Sequence, residues 1–109
     1  MDIQCLTGWP ENVLPKLFKK MDLIANNKEV DEFYIGRSVD IGKRQSEHSC
    51  DEIIPIYSTD SIDNAIEVEK ILIRKFINRK KCNNKAEDGR GNFSDDGSYV
   101  YVAIWYLRN

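Results

Sequence analysis

Residues that commonly bind metals in clusters are scarce in this sequence. It contains one histidine, His48, and three cysteines at wide, unpatterned spacings, Cys5, Cys50 and Cys82. A structural zinc site needs four such ligands at short, regular spacings, so no zinc signature is recognisable. An odd number of unpatterned cysteines favours reduced thiols. We therefore expect an intracellular protein of the cytoplasm or nucleus.

Long apolar runs are also lacking. No stretch approaches the ~20 apolar residues that a transmembrane helix requires, so we expect no contact with a membrane. The first residues, MDIQCLTGWP, lack the cationic start and apolar stretch of a secretory signal. With 109 residues, 41% hydrophobic and 31% charged, the chain has the composition of a globular protein. We expect one domain spanning residues 1–109.

An overall excess of positive charge is missing as well. The formal net charge of −2 disfavours a generally basic nucleic-acid-binding protein. Locally, however, the segment RKFINRKK at residues 74–81 carries five positive charges and no negative charge. Such a run is most often a solvated helix face, and a phosphate-contacting patch is the alternative. The candidate nucleic-acid contacts in this run are Arg74, Arg79, Lys80 and Lys81.

The hydrophobic pattern predicts an alternation of strands and helices. Strands are expected at residues 3–6, 29–36, 51–58 and 98–107, and helices at residues 11–27, from Ser38 or Asp40 to about 48, and from 59–63 to about 80. Pro15 suits a first helical turn, Gly36 suggests a turn after its strand, and Pro55 suggests an edge strand or a bulge. Residues 82–97 are expected to form a loop. The order indicates a small α/β (α+β) fold, with about three helices against a sheet of three or four strands.

One carboxylate on the long predicted helix falls on its apolar face. At roughly 100° per residue, Glu69 falls in the middle of an apolar stripe formed by Ile62, Ala65, Ile66, Leu72, Ile73 and Phe76. An ionised carboxylate buried there would cost several kcal/mol without compensation. It therefore requires a proton, a cationic partner or a metal ion. Either a structural ion pair with Arg44 or a lysine, or a divalent cation held in a polar pocket, would satisfy it.

Arg44 and His48 lie four residues apart, so on a helix they share one face. Arginine presents rigid donors that match phosphate oxygens, and histidine exchanges a proton near neutral pH. Together with Glu69 they provide the groups needed for phosphodiester hydrolysis: a metal to neutralise charge, a phosphate clamp and a group to activate water.

The segment FYIGRSVDIGKRQSEH, residues 33–48, resembles the second half of the GIY-YIG nuclease motif. There, a tyrosine–x–glycine strand end precedes an arginine and a histidine on one helix. Residues 51–73 resemble the family's next strand and helix, whose pattern A-x-x-x-E-x-x-x-I corresponds to Ala65, Glu69 and Ile73. The family usually has an asparagine some fifteen residues further on, and Asn83 and Asn84 are candidates. The similarity covers roughly residues 33–84, which is about half of the chain.

The resemblance implies roles for particular residues. Tyr34 would line the active site, and Arg44 would stabilise the charged transition state. His48 would assist proton transfer, and Glu69 would be the single protein ligand of a Mg²⁺ or Mn²⁺ ion. Asn84, or its neighbour Asn83, would help to position these groups.

The activity that the resemblance implies is metal-dependent DNA endonuclease activity. Arg37 has no obligatory role in the family, and it would contact phosphate or solvent. The DNA could be branched or single-stranded, and since one site cuts one strand, double-strand cleavage would need a homodimer or repeated encounters. Two alternatives stay open: a catalytically inactive GIY-YIG-like module that binds nucleic acid or a protein, and an accidental match in which Glu69 forms a structural ion pair.

The G-I-Y tripeptide itself, whose tyrosine is a candidate general base in the family, is absent. Residues 2–6, DIQCL, could be the corresponding strand, with a helix inserted and the tyrosine lost. Alternatively, the C-terminal strand could pair beside the YIG strand and supply Tyr99 or Tyr101. Strand alternation places Tyr99, Tyr101 and Trp105 on one face, where they could line the site or simply pack the sheet.

Overall fold

The computed structural model describes residues 2–85 and 98–108. Its elements are α1 (Pro10–Ala25), β1 (Val30–Ser38), α2 (Ile41–His48), β2 (Glu52–Ser58), α3 (Ile62–Phe76) and β3 (Tyr99–Tyr106). The predicted mixed α/β class, with three helices against a small sheet, is confirmed. Residues 86–97 of the predicted loop lie outside the described residues. Across the described part of the chain, none of the helices combines the length and apolarity needed to cross a bilayer.

The three strands form an antiparallel sheet in the order β1-β3-β2, so the C-terminal strand β3 lies in the centre. The C-terminal strand β3 pairs with β1, so its expected position beside the YIG strand is confirmed. The strand expected at residues 3–6 is wrong, because Leu6 forms only an isolated bridge to Tyr57. Pro55 lies on the edge strand β2, next to a register shift between Pro55 and Tyr57. A proline is tolerated there because an edge strand leaves amide positions without a ladder partner.

The outer edge of β1 is covered by the segment that follows α3. The amide of Phe33 donates to the Lys81 carbonyl at 2.9 Å, and the amide of Asn83 donates to the Phe33 carbonyl at 2.7 Å. An uncovered edge strand would expose unpaired backbone groups. This segment therefore fixes the position of the strand that carries the YIG residues.

Alternation along β3 separates two apolar layers. Val100, Val102 and Ile104 are fully buried in the larger core, to which α1 and α3 contribute. Tyr101 and Ala103 belong to a smaller cluster on the other face, together with Ile41 of α2. The sheet thus lies between α1 and α3 on one side and α2 on the other.

The helix starts follow from local chemistry. Pro10 occupies the first turn of α1, where its missing amide hydrogen costs nothing. The expectation that Pro15 lies in the first turn was wrong, because the helix begins five residues before it. Asp40 caps α2 by accepting from the Lys43 amide at 2.9 Å. Ser61 caps α3, which ends at Phe76 rather than near residue 80.

Candidate functional site

A tyrosine and the single histidine meet on the α2 face of the sheet. The hydroxyl of Tyr101 lies 2.8 Å from Nε2 of His48. His48 is the last residue of α2, and the left-handed residue Ser49 (φ 55°) ends the helix immediately after it. The Tyr34 ring lies against the histidine, with centroids 4.7 Å apart. β1, α2 and β3 thus each contribute one ring to this cluster, which we call the tyrosine–histidine cluster (Tyr34, His48 and Tyr101).

Gly36 makes room for the cluster. It lies within β1 opposite Tyr101, so the expectation that it forms a turn was wrong. A Cβ atom at this position would lie 2.5 Å from the Tyr101 hydroxyl oxygen and 2.9 Å from a Tyr34 ring carbon. Both rings are largely buried. The glycine is therefore required by the space that the two tyrosines occupy.

The environment favours the neutral form of His48. Partial burial lowers the pKa of His48 from its ordinary value of 6.5, and the positive charge of Arg44 lowers it further, while Glu47 opposes the shift. A neutral imidazole can accept a proton at one ring nitrogen and donate at the other. The cluster therefore has the charge state that a general base needs near neutral pH.

Arg44 is buried. Arginine is almost never fully buried unless it is paired. Its Nε donates to the Ser38 hydroxyl at 3.2 Å, and its Nη1 donates to a Glu47 carboxylate oxygen at 2.5 Å. Ser38 is the last residue of β1, and Glu47 follows one helical turn after Arg44. These partners hold the guanidinium at the end of β1. Sequence reasoning missed both, although the i, i+3 spacing of Arg44 and Glu47 was a usable signal.

Glu69 is buried on α3, with 1% of its surface exposed. Nε of Arg37 donates to its Oε1 at 2.9 Å. The expected placement in an apolar stripe is confirmed, but its limits were wrong, because Ile62 is 45% and Ile66 38% exposed. The buried face contains Ala65, Val68, Glu69, Leu72, Ile73 and Phe76.

Arg37 was expected to contact phosphate or solvent, and the structure places it against Glu69 instead. Its side chain is only 13% exposed. Strand alternation explains this position, because Arg37 follows Ile35 on the face of β1 that α3 covers. The partner was missed because the separation of 32 residues leaves no local pattern.

Glu69 and Arg44 are each contacted by a residue at the end of β1. Consecutive strand residues point to opposite faces of a sheet. Arg37 contacts Glu69 of α3 on one face, and Ser38 contacts Arg44 of α2 on the other. The side chains that contact Glu69 and Arg44 therefore come from adjacent residues of β1 and lie on opposite faces of the sheet.

The side chain of Asn84 forms two hydrogen bonds with the backbone of β1. Its Nδ2 donates to the Ile35 carbonyl and its Oδ1 accepts from the Ile35 amide, both at 2.8 Å. Asn84 is buried, whereas the side-chain amide of Asn83 donates to Glu32 at the exposed surface. Of the two candidates, Asn84 therefore fixes the strand between Tyr34 and Gly36. The sequence offered no signal to separate two adjacent asparagines.

The basic run does not form one continuous face. Arg79 pairs with Asp22 at 2.5 Å, and Nζ of Lys81 donates to the Asn27 carbonyl at 2.7 Å. These two residues therefore connect the segment after α3 to the end of α1. Arg74, Arg79 and Lys80 are exposed.

The carboxylate of Glu69 is a suitable ligand for a divalent cation such as Mg²⁺ or Mn²⁺. Carboxylate oxygen is the ligand that Mg²⁺ and Mn²⁺ prefer. Across residues 2–85 and 98–108, no group of three or more His, Cys, Asp or Glu side chains converges. A cation at Glu69 would therefore have a single protein ligand and complete its shell with water and substrate oxygens. It fits only where Arg37 gives way, since Arg37 already contacts Oε1.

Comparison of the chain with protein-family models, curated proteins and solved structures finds no match. The functional interpretation therefore depends on the arrangement of these side chains and on the sequence resemblance to GIY-YIG nucleases.

Proposed function

We propose that this chain is a metal-dependent DNA endonuclease of the GIY-YIG type, which hydrolyses phosphodiester bonds inside the cell. The observation that carries the proposal is the hydrogen bond between Tyr101 and His48. It supports the view that β3 supplies a tyrosine in place of the absent G-I-Y strand. The burial of Glu69 and of Arg44, each contacted by one of two adjacent residues of β1, is the second line of support.

In this proposal, Nδ1 of His48 takes the proton of the attacking water, while the Nε2 hydrogen is donated to the Tyr101 hydroxyl oxygen. Its lowered pKa keeps the imidazole neutral and able to accept. Tyr101 is fully buried, so it acts through His48 by holding Nε2 and fixing the ring orientation. Tyr101 is therefore a positioning residue, and Tyr34 packs on the other side of the imidazole.

Arg44 stabilises the negative charge that develops on the phosphoryl oxygens. Its guanidinium is held in place by Ser38 and Glu47 before the substrate arrives. Preorganised charge in a water-poor site is worth more than the same charge in water. A bound Mg²⁺ or Mn²⁺ ion, held by Glu69, would neutralise charge on the phosphate as a Lewis acid.

The proposed substrate is DNA, and branched or single-stranded forms are included. Exposed cations suited to phosphate contact are Arg74 and Lys80, and Lys16 and Lys19 on α1. A monomer with one site nicks one strand, so double-strand cleavage would involve a homodimer.

The test is nicking of supercoiled plasmid in the presence of Mg²⁺ or Mn²⁺. The wild-type chain is compared with Glu69→Gln and Arg44→Ala. Each has a matched control at an exposed position of the same helix, Glu67→Gln on α3 and Lys43→Ala on α2. We expect nicking by the wild type and both controls, and none by the two site variants or with a chelator.

Other outcomes refute the nuclease. If all five proteins retard DNA equally in a gel and none cuts it, the chain is a catalytically inactive nucleic-acid-binding module. If branched DNA, single-stranded DNA and RNA are neither bound nor cut, a protein partner replaces nucleic acid as the ligand.

A further inference from the structure

The cation beside Glu69 in this structure comes from the chain itself. Arg37 reaches the carboxylate from β1 and donates to Oε1 at 2.9 Å. Both side chains are largely withdrawn from water, at 13% and 1% exposure. A carboxylate buried in this way requires a positive partner, and Arg37 provides one before any metal arrives.

Arg37 and a divalent cation compete for the same oxygen. Metal–carboxylate distances are about 2.0–2.1 Å for Mg²⁺, so an ion on Oε1 would lie at most about 5 Å from Nε of Arg37. At such a distance, in a site shielded from water, the like charges of the ion and the guanidinium repel one another. The ion and the guanidinium therefore disfavour one another at Glu69.

Arg37 lies near the end of its strand. It is the penultimate residue of β1, and Val39, two residues further on, is 64% exposed. A rotamer change of the long side chain would carry the guanidinium toward the surface at the end of the sheet. There its planar donors suit a phosphate group.

We propose that Arg37 is a displaceable counter-ion that blocks the metal position at Glu69 until DNA phosphate draws it away. Metal binding and DNA binding then favour one another. This inference rests on the proposed function, because it concerns the same carboxylate. It assigns Arg37 a regulatory role, in which one side chain alternates between Glu69 and phosphate.

The first test is a titration with Mn²⁺ in which free Mn²⁺ is followed by electron paramagnetic resonance. Removing the competing cation in Arg37→Gln should tighten Mn²⁺ binding at least tenfold relative to the wild type. Lys70→Gln, at an exposed position of α3, should leave the affinity unchanged. Glu69→Gln should remove this binding site. An Arg37→Gln variant that binds Mn²⁺ no more tightly than the wild type overturns the proposal.

Arg37→Met decides the question if Arg37→Gln fails to fold. Methionine removes the charge and keeps a long, unbranched side chain that suits buried surroundings, so Mn²⁺ binding should be tighter than in the wild type. Equal or weaker binding by a folded Arg37→Met variant contradicts the displacement.

The second test measures DNA binding without metal, by fluorescence anisotropy of a labelled duplex in EDTA. Glu69→Gln releases Arg37 and should bind the duplex several-fold more tightly than Glu67→Gln, which changes the net charge equally at an exposed position. Adding Arg37→Gln to Glu69→Gln should abolish the gain. Equal affinities of the two glutamine variants would refute the phosphate role of Arg37.

These outcomes are separable from the plasmid assay. Nicking by the wild type, with no gain in Mn²⁺ affinity in Arg37→Gln, would leave the nuclease standing and remove the counter-ion exchange. Tighter Mn²⁺ binding through Glu69 in Arg37→Gln, together with no DNA cleavage by the wild type, would support the counter-ion exchange and refute the nuclease.

Discussion

Replacing Gly36 by alanine tests the packing around the tyrosine–histidine cluster. The added Cβ would meet the Tyr101 hydroxyl oxygen at 2.5 Å, ring carbon Cζ at 2.6 Å and the Tyr34 ring at 2.9 Å. Approaches below 3.0 Å require atoms to move. Neither ring has open space, because Tyr101 is fully buried and Tyr34 is 9% exposed. The substitution must therefore displace Tyr101, strain β1, or both.

The expected cost follows from these contacts. Overpacking a core position typically costs about 1–3 kcal/mol, and loss of the bond between Tyr101 and His48 adds about 0.5–1.5 kcal/mol. We therefore expect the free energy of unfolding of Gly36→Ala to fall by roughly 1.5–4.5 kcal/mol. Urea unfolding followed by circular dichroism measures this change.

Gly42→Ala is the matched control. Gly42 lies in α2, and a Cβ there would meet only Asp40 at 3.6 Å, an ordinary contact. Alanine is favoured over glycine in helices by up to about 1 kcal/mol, so this variant should be as stable as the wild type or more so. If Gly36→Ala unfolds within about 0.5 kcal/mol of the wild type, the packing argument is refuted.

Three further changes test other parts of the structure. Asn84→Asp keeps an acceptor for the Ile35 amide but loses the donor to the Ile35 carbonyl; urea unfolding should show a loss of about 1–3 kcal/mol, and an unchanged midpoint would contradict the assigned bonds. Burial lowers the pKa of His48 from 6.5 in the folded protein, so His48 is protonated at a higher pH in the unfolded chain than in the folded one. The contribution of neutral His48 to the free energy of unfolding is therefore fully present above 6.5 and is lost as the pH falls. As the pH falls from about one unit above 6.5 to about one unit below it, the free energy of unfolding of His48→Gln should therefore decrease less than that of the wild type. An equal pH dependence of the two free energies would contradict the lowered pKa. Tyr57→Phe removes the bond from the hydroxyl to the Gly8 carbonyl, at 2.6 Å, and should cost about 1 kcal/mol in the same assay, whereas no cost would show that water replaces the bond.

Local patterns were sufficient for most of the fold. The period-two alternation of β3 predicted which of its residues face each side, and the structure agrees for Val100, Val102 and Tyr101. The position of Glu69 on the buried face followed from helical periodicity. The width of that face did not, because it depends on how α3 docks on the sheet, and the docking leaves Ile62 and Ile66 exposed.

Contacts between distant residues could not be read from the sequence. Arg37 and Glu69 are 32 positions apart, and their pairing requires the twist and packing of β1 against α3. The choice of Asn84 over Asn83 depends on which side chain faces the edge of β1. Gly36 resembled a turn residue because glycine is common in turns, whereas its role depends on two tyrosines that the fold brings to its face.

The central claim is that β3 supplies Tyr101 to position His48 for phosphodiester hydrolysis. Its most direct test is the pH profile of the single-turnover rate of plasmid nicking for the wild type, Tyr101→Phe and Tyr99→Phe. Tyr99 lies on the same strand two residues away, so it is the matched control. We expect Tyr101→Phe to lower the rate at least about tenfold and to shift the acidic limb of the profile, with Tyr99→Phe unchanged. Equal rates and identical profiles for the three proteins would contradict the account.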